Sequence, residues 1–185
     1  MTGRYLAEML TPAIVAEEKR YHGGTFRLPA RGGADALGED EMAFLARRDS
    51  FYLATVTADG WPYVQHRGGP RGFLKVVDAG TLAFADLRGN RQLITTGNLV
   101  DEARVALIAV DYPARRRLKV MGRAEALDAR EHPGLADAVA PPELRRRVER
   151  VVRIAVVAYD WNCAAYITPR YTEEELREAD LFGGR

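Results

Sequence analysis

The sequence predicts an α+β fold made mainly of antiparallel strands that close into a barrel. Three observations carry this. Runs rich in β-branched and aromatic residues recur along the chain, beginning with FYLATVTA at 51–58 and ending with VVRIAVVAYDW at 151–161. Several connections between runs are short and turn-forming, with Asp59-Gly60 the strongest hairpin signal. No strand–GxGxxG–helix unit is present, which argues against a doubly wound dinucleotide fold. About six strands laced with short helices favour a barrel.

In order, residues 4–21 carry Leu6, Met9, Leu10, Ile14 and Val15 at helical spacing, with Pro12 suited to open a helix through Arg20. Residues 22–38 are rich in Gly, Pro and Ala and read as a surface connection. Glu39 to Arg48 reads as a helix with Met42, Phe44 and Leu45 on its apolar side. Strands follow at 51–58, 61–67, 72–77 and 81–85. A short helix spans Leu93 to Gly97, with Asn90 as its N-cap and Gly97 as its C-cap. Residues 104–111 and 117–127 are further strands, the second with a bulge at Gly122. Residues 130–149 suit one or two short helices, interrupted near Pro133 and at Pro141-Pro142. After the last strand, Thr172 and Glu175 form a capping box for a tail helix.

The formal net charge is +1, so no global field draws the chain to nucleic acid or membrane. Positive charge is clustered instead at 67–91, 115–119 and 145–153. One cysteine, Cys163, excludes an internal disulfide and fits a reducing cytoplasm. It follows an apolar strand, where a buried, inert thiol is expected. No apolar run approaches a membrane span, and acidic residues interrupt any secretory layout near the start. His22, His66 and His132 lack metal-ligand spacing, so no metal site is expected.

The richest stretch runs from Trp61 to Leu99. Strand-like segments alternate there with glycine-rich turns, punctuated by Arg67, Arg71, Lys75, Arg88 and Arg91. Basic side chains beside free N–H groups at a helix start suit a phosphate. Flanking apolar strands suit a flat ring. The loop 67–72 lacks the Lys-Ser/Thr ending of a P-loop. The stretch is expected to hold a phosphorylated aromatic cofactor.

Residues 44–127 resemble the pyridoxamine 5′-phosphate oxidase-like group of FMN-binding split-barrel flavoproteins. The resemblance is carried by FYLATVTADGWPYVQHRGGPRGFLKV, TLAFADLRGNRQ, TTGNL followed by RVALI, and LKVMGRAEAL, with DWNC and ITPR further on. It implies a six-stranded antiparallel split β-barrel with peripheral short helices. Residues 1–38 would be an N-terminal helix and connection, and 39–185 a single FMN-binding domain. It also implies a homodimer with two FMN molecules in clefts shared between subunits. The flavin ring would lie along Gly72, Phe73, Leu74 and Lys75. The phosphate would sit at Asn90, Arg91 and Gln92, the last where many members carry Lys. Ala85 and Asp86 would approach the ribityl chain. Arg117 stands where many members place a Gln near the ring. Trp161, Asn162 and Arg170 resemble residues contributed by the partner subunit. His66 and Arg67 complete the cofactor set, Arg67 supplying charge and His66 weighed as a proton donor.

The chain departs from true oxidases in two places. It ends ITPRYTEEELREADLFGGR, without the Arg-Leu-His-Asp-Arg-like substrate motif. The region EHPGLADAVAPPELRRRVER lacks the Tyr and Ser of the oxidases' substrate-phosphate set. The expectation is therefore a cytoplasmic FMN-dependent oxidoreductase acting on a small organic substrate other than pyridoxamine phosphate. The alternatives are a non-catalytic flavin binder or sensor, or a split-barrel relative using F420 or haem.

Overall fold

The computed structural model describes residues 3–24, 30, 32–89 and 91–178. Two helices open the chain, α1 (Gly3–Met9) and α2 (Pro12–His22), where one was expected from Pro12. Thr11 caps α2 by accepting from the Ile14 N–H, and Pro12 occupies the first turn, where a missing donor is harmless. Helix α3 (Glu39–Ala46) follows; its Glu41 carboxylate turns back to accept the Gly38 N–H at 2.9 Å.

Seven strands, β1 (Ser50–Val56), β2 (Pro62–Gly68), β3 (Lys75–Asp78), β4 (Thr81–Leu87), β5 (Arg104–Asp111), β6 (Arg116–Asp128) and β7 (Val148–Trp161), form one antiparallel sheet. The order is β2-β1-β5-β6-β7-β4-β3. The count is one more than the six expected of the barrel, and each of the seven runs read from the sequence supplies one strand, the four-residue β3 pairing with β4 at an edge. Strand β3 starts three residues later than predicted. Gly72 takes φ +78, and the Phe73 N–H bonds back to the Pro70 carbonyl, so 70–73 is a turn. That turn drops Phe73 onto Phe51, ring centroids 5.4 Å apart, while Phe84 meets Phe51 edge-on at 5.2 Å.

Alternation along the strands sets the core. Phe51, Leu53, Leu82, Phe84, Leu107, Leu118, Val120 and Ile154 point inward and are buried. Helix α5 (Pro133–Val139) covers part of the outer face, packing Val139 against Ala83 and Val151. A 3-10 turn at Pro142–Arg147 leads directly into β7, which therefore begins earlier than residue 151. The β1–β2 connection is a three-residue turn with Gly60 at φ +86, one residue longer than an Asp-Gly hairpin requires.

The bulge at Gly122 is present as a register shift between Met121 and Gly122. A Cβ at Gly122 would sit 2.5 Å from Ile154 Cγ2 and 2.6 Å from the Ala155 carbonyl oxygen. Gly122→Ala should therefore destabilise the fold by about 2 kcal/mol, read as a lowered urea midpoint.

Helix α4 (Ile94–Asp101) runs four residues past the predicted end. Gly97 lies inside it, and Glu102 is the C-cap. Two buried side chains hold it to the sheet: Asn98 donates to Thr55 Oγ1 at 2.8 Å, and Thr95 Oγ1 donates to Gln65 Oε1 at 2.9 Å. Its N-cap is Leu93, left-handed at φ 55 and without a side-chain cap. Asn90, the expected cap, lies outside the described residues. Cys163 is exposed rather than buried, because the chain leaves the sheet at Trp161. The tail helix α6 (Glu173–Glu178) carries the expected box: Thr172 Oγ1 accepts the Glu175 N–H, and the Glu175 carboxylate accepts the Thr172 N–H. Among the described residues no helix is long and apolar enough to cross a membrane.

Candidate functional site

Strands β2 and β3 are the two edges of the sheet, and the split lies between them. An ion pair bridges it. Arg67 on β2 donates to Asp86 Oδ1 on β4 at 2.8 Å. The other carboxylate oxygen accepts from Arg150 Nε on β7, also at 2.8 Å. Asp86 is buried, and each of its oxygens is committed to one guanidinium. Arg150 also donates to Glu149 at 3.2 Å.

This triad floors a cleft of about 210 Å³ between β2, the end of β4 and the start of α4. Tyr63, Gln65 and Arg67 reach it because every second residue of β2 points that way. Arg91 and Gln92 border it, followed by the first turn of α4. Arg91 is left-handed at φ 62, as is Leu93. Each such turn costs roughly 1 kcal/mol or more for a non-glycine residue. The start of α4 borders the cleft as well, and its first-turn N–H groups have no side-chain cap. The cleft thus combines three guanidiniums, two carboxylates and the positive end of a helix. Arg67 Nε is buried and has no acceptor.

A second cluster gathers at the other end of β7. Trp161 packs edge-on against Phe44 with centroids 4.8 Å apart, and its Nε1–H donates to Glu41. The Arg116 guanidinium lies over the Trp161 ring at 4.4 Å. Arg170 lies over Tyr112 at 5.1 Å. The Asn162 N–H donates to the Arg117 carbonyl at 3.1 Å. Burial, then the Glu41 and Asp35 carboxylates, push the Tyr159 phenol above its usual range, so it stays protonated at neutral pH. Two atoms here are buried without partners, the donor Arg117 Nε and the acceptor Asn162 Oδ1. Trp161 lies eleven positions beyond Arg150, about 35 Å along the strand.

Of the predicted cofactor residues, the cleft brings together Arg67, Asp86, Arg91 and Gln92. Arg117, Trp161, Asn162 and Arg170 belong to the second cluster. Phe73 and Leu74 are buried in the core beside the Gly72 turn. Lys75 opens β3, half-buried and paired in register with Ala83. Ala85 borders a small crevice with Gly69, Pro70 and Leu144. His66 is turned to the opposite face of β2, exposed beside Tyr52 with centroids 5.5 Å apart. Sequence reading passed over Arg150, Tyr63, Gln65 and Thr95. Period-two alternation through Arg67 points to the middle two. Arg150 lies in the basic cluster at 145–153, but only the β4–β7 register, Asp86 opposite Arg150, brings it to the site.

The sequence profile of the pyridoxamine 5′-phosphate oxidase family matches residues 37–158, about two-thirds of the chain. The chain belongs to this family. No curated protein sequence matches it. Among solved structures, a candidate pyridoxamine 5′-phosphate oxidase from Lactobacillus delbrueckii is similar at 25% identity and a TM-score of 0.53, covering 68% of this chain and 93% of that one. HupZ of Group A Streptococcus is similar at 16% identity and a TM-score of 0.53, over 68% of this chain and 99% of that one. The conserved protein Rv2991 from Mycobacterium tuberculosis reaches 18% identity and a TM-score of 0.51, over 77% and 96%. The last two likenesses concern the fold. Membership fixes the split-barrel frame into which both clusters are built.

Proposed function

We propose that this chain is an FMN-binding flavoprotein, a cytoplasmic homodimer that acts as an oxidoreductase on a small organic substrate. Residues 39–185 would be the cofactor domain and 1–38 an N-terminal addition. The observation that carries the reading is the cleft at the split, where Arg67, Arg91, Arg150 and the uncapped start of α4 converge. That donor set suits a phosphate dianion. Tyr63 and Gln65 add polar groups suited to a ribityl chain. At the second cluster, the orphaned Arg117 donor and Asn162 acceptor complement a ring edge that presents both C=O and N–H, as a flavin does.

The two clusters sit too far apart along β7 to serve one FMN from one chain. The reading therefore pairs the cleft of one subunit with the Trp161 end of its partner. An exposed apolar strip supports association: Tyr52 is 41% exposed and Val64 61%, beside Ala54 and Ile108. Sedimentation should report a dimer at micromolar concentration; a stable monomer holding FMN would contradict the shared cleft.

FMN, when bound, supplies electron and hydride transfer. The chain's own groups bind and tune. Asp86 locks the Arg67 and Arg150 guanidiniums in place, so they need no reorganisation when phosphate arrives. Trp161 shields the ring from water. Lys75, half-buried at the split edge and outside any ion pair among the described residues, supplies positive charge to offset the negative charge that reduction adds.

The protein as purified should be yellow, and the released ligand should have the mass of FMN. A colourless protein that ignores added FMN would remove the proposal. Arg91→Ala should weaken FMN roughly tenfold to a hundredfold, with riboflavin affinity unchanged. Equal losses for both ligands would take Arg91 out of the phosphate site.

A further inference from the structure

The tip of the β5–β6 hairpin concentrates positive charge that no ion pair among the described residues neutralises. Arg115, Arg116 and Arg117 follow one another there, and Arg170 folds back onto Tyr112 at the same tip. Asp111, the register partner of Arg116, is already taken: its carboxylate accepts from Arg48 at 2.7 Å and from the Ala114 N–H at 2.9 Å. Glu41 is buried and bonded to Trp161 and the Gly38 N–H. Among the described residues none of the four tip arginines is in an ion pair. Arg104, Arg130 and Arg153, by contrast, each pair with a carboxylate.

These side chains are also held rather than loose. The Arg116 guanidinium lies 4.4 Å from the Trp161 ring centroid and 5.6 Å from that of Phe44, and Arg170 lies 5.1 Å from that of Tyr112. An aromatic neighbour restrains a guanidinium without consuming its N–H donors, and a guanidinium fork binds an oxyanion bidentately. A backbone strained at Arg115, φ 52, holds the tip in this turn. A neutral ring needs no such excess of cations.

We infer that Arg116 and Arg170 form a second anion site, which takes the carboxylate or phosphate of the small organic molecule on which the bound flavin acts. The substrate assignment rests on the flavin reading; the anion site itself does not. Arg115 and Arg117 strengthen the local field. Binding there places an anionic substrate next to Trp161, the residue expected to cover the ring.

Calorimetric titration tests this on the full chain, saturated with FMN to block the first cleft. Inorganic pyrophosphate and, separately, citrate should each give a single saturable binding event per chain at low salt. The double variant R116Q/R170Q should weaken that event about tenfold or more. R116K/R170K, which keeps charge but loses the flat fork, should recover only part of the loss. Preference for one probe separates phosphate from carboxylate as the recognised group. Absence of a saturable event, or equal affinity in R116Q/R170Q and wild type, overturns the site. If the wild type takes no FMN, the same titration in an Arg91→Gln chain isolates this end of the molecule. Arg116-dependent binding there keeps the anion site and removes only the flavin reading; intact FMN binding with no such event does the reverse.

Discussion

Asp86→Ala should destabilise the protein by about 3 kcal/mol, the largest loss expected from any single change in the cleft. The reason is asymmetry. In the wild type two guanidiniums share one carboxylate, and the Arg67, Arg150 and Asp86 side chains are only 16%, 18% and 9% exposed. Removing the carboxylate leaves two like charges side by side and largely out of water, with Arg67 stripped of its counterion. Glu149 still reaches Arg150, which keeps the loss at the lower end of what a broken buried pair costs. Urea denaturation should show the fall in midpoint at unchanged slope. A loss below about 0.5 kcal/mol would mean that water already screens the triad as it would a surface pair. Replacing all three residues together by Asp86→Leu, Arg67→Met and Arg150→Met separates stability from function. That variant should fold with nearly wild-type stability, since no charge is left unpaired. It should bind riboflavin as the wild type does but favour FMN less, since of the three cleft guanidiniums only Arg91 remains. The triad would then be kept for its ligand rather than for the barrel.

The contrast between Asp86 and its neighbours shows what the sequence makes readable. Strand identity, the Gly122 bulge and the tail capping box follow from local chemistry, because side-chain period, turn glycines and caps act over a few residues. The basic border of the cleft was legible for the same reason: Arg91 and the start of α4 are adjacent in sequence. Arg150 was not, since its place beside Asp86 depends on pairing across 64 positions. Gly72–Leu74 were misread as strand because their apolar run looks extended, whereas a positive-φ glycine turns them into the core. Gly97 misled in the opposite sense. It reads as a cap, but Thr95 and Asn98 bond to β2 and β1 and carry α4 past it. Tertiary hydrogen bonds there override a propensity of about 1 kcal/mol.

Two damaged chains should repair one another if the flavin cleft is shared. Arg91→Ala removes a phosphate cation from one end, and Trp161→Ala removes the ring cover from the other. Each homodimer has both of its sites damaged once and should hold little FMN. A mixed dimer instead concentrates both lesions in one site and leaves the other intact. Random reassociation after unfolding and refolding an equal mixture makes half the dimers mixed, so roughly a quarter of the wild-type sites should return. Bound flavin after gel filtration reads this directly. Recovery near zero, with refolded wild type as the control, would place both residues in a site made by a single chain. That outcome would conflict with the strand itself, since β7 carries Arg150 at one end and Trp161 at the other, about 35 Å apart along its length. In the shared-cleft reading a second copy brings its Trp161 to Arg150, and the exposed apolar strip at Tyr52 and Val64 is a surface suited to hold it there.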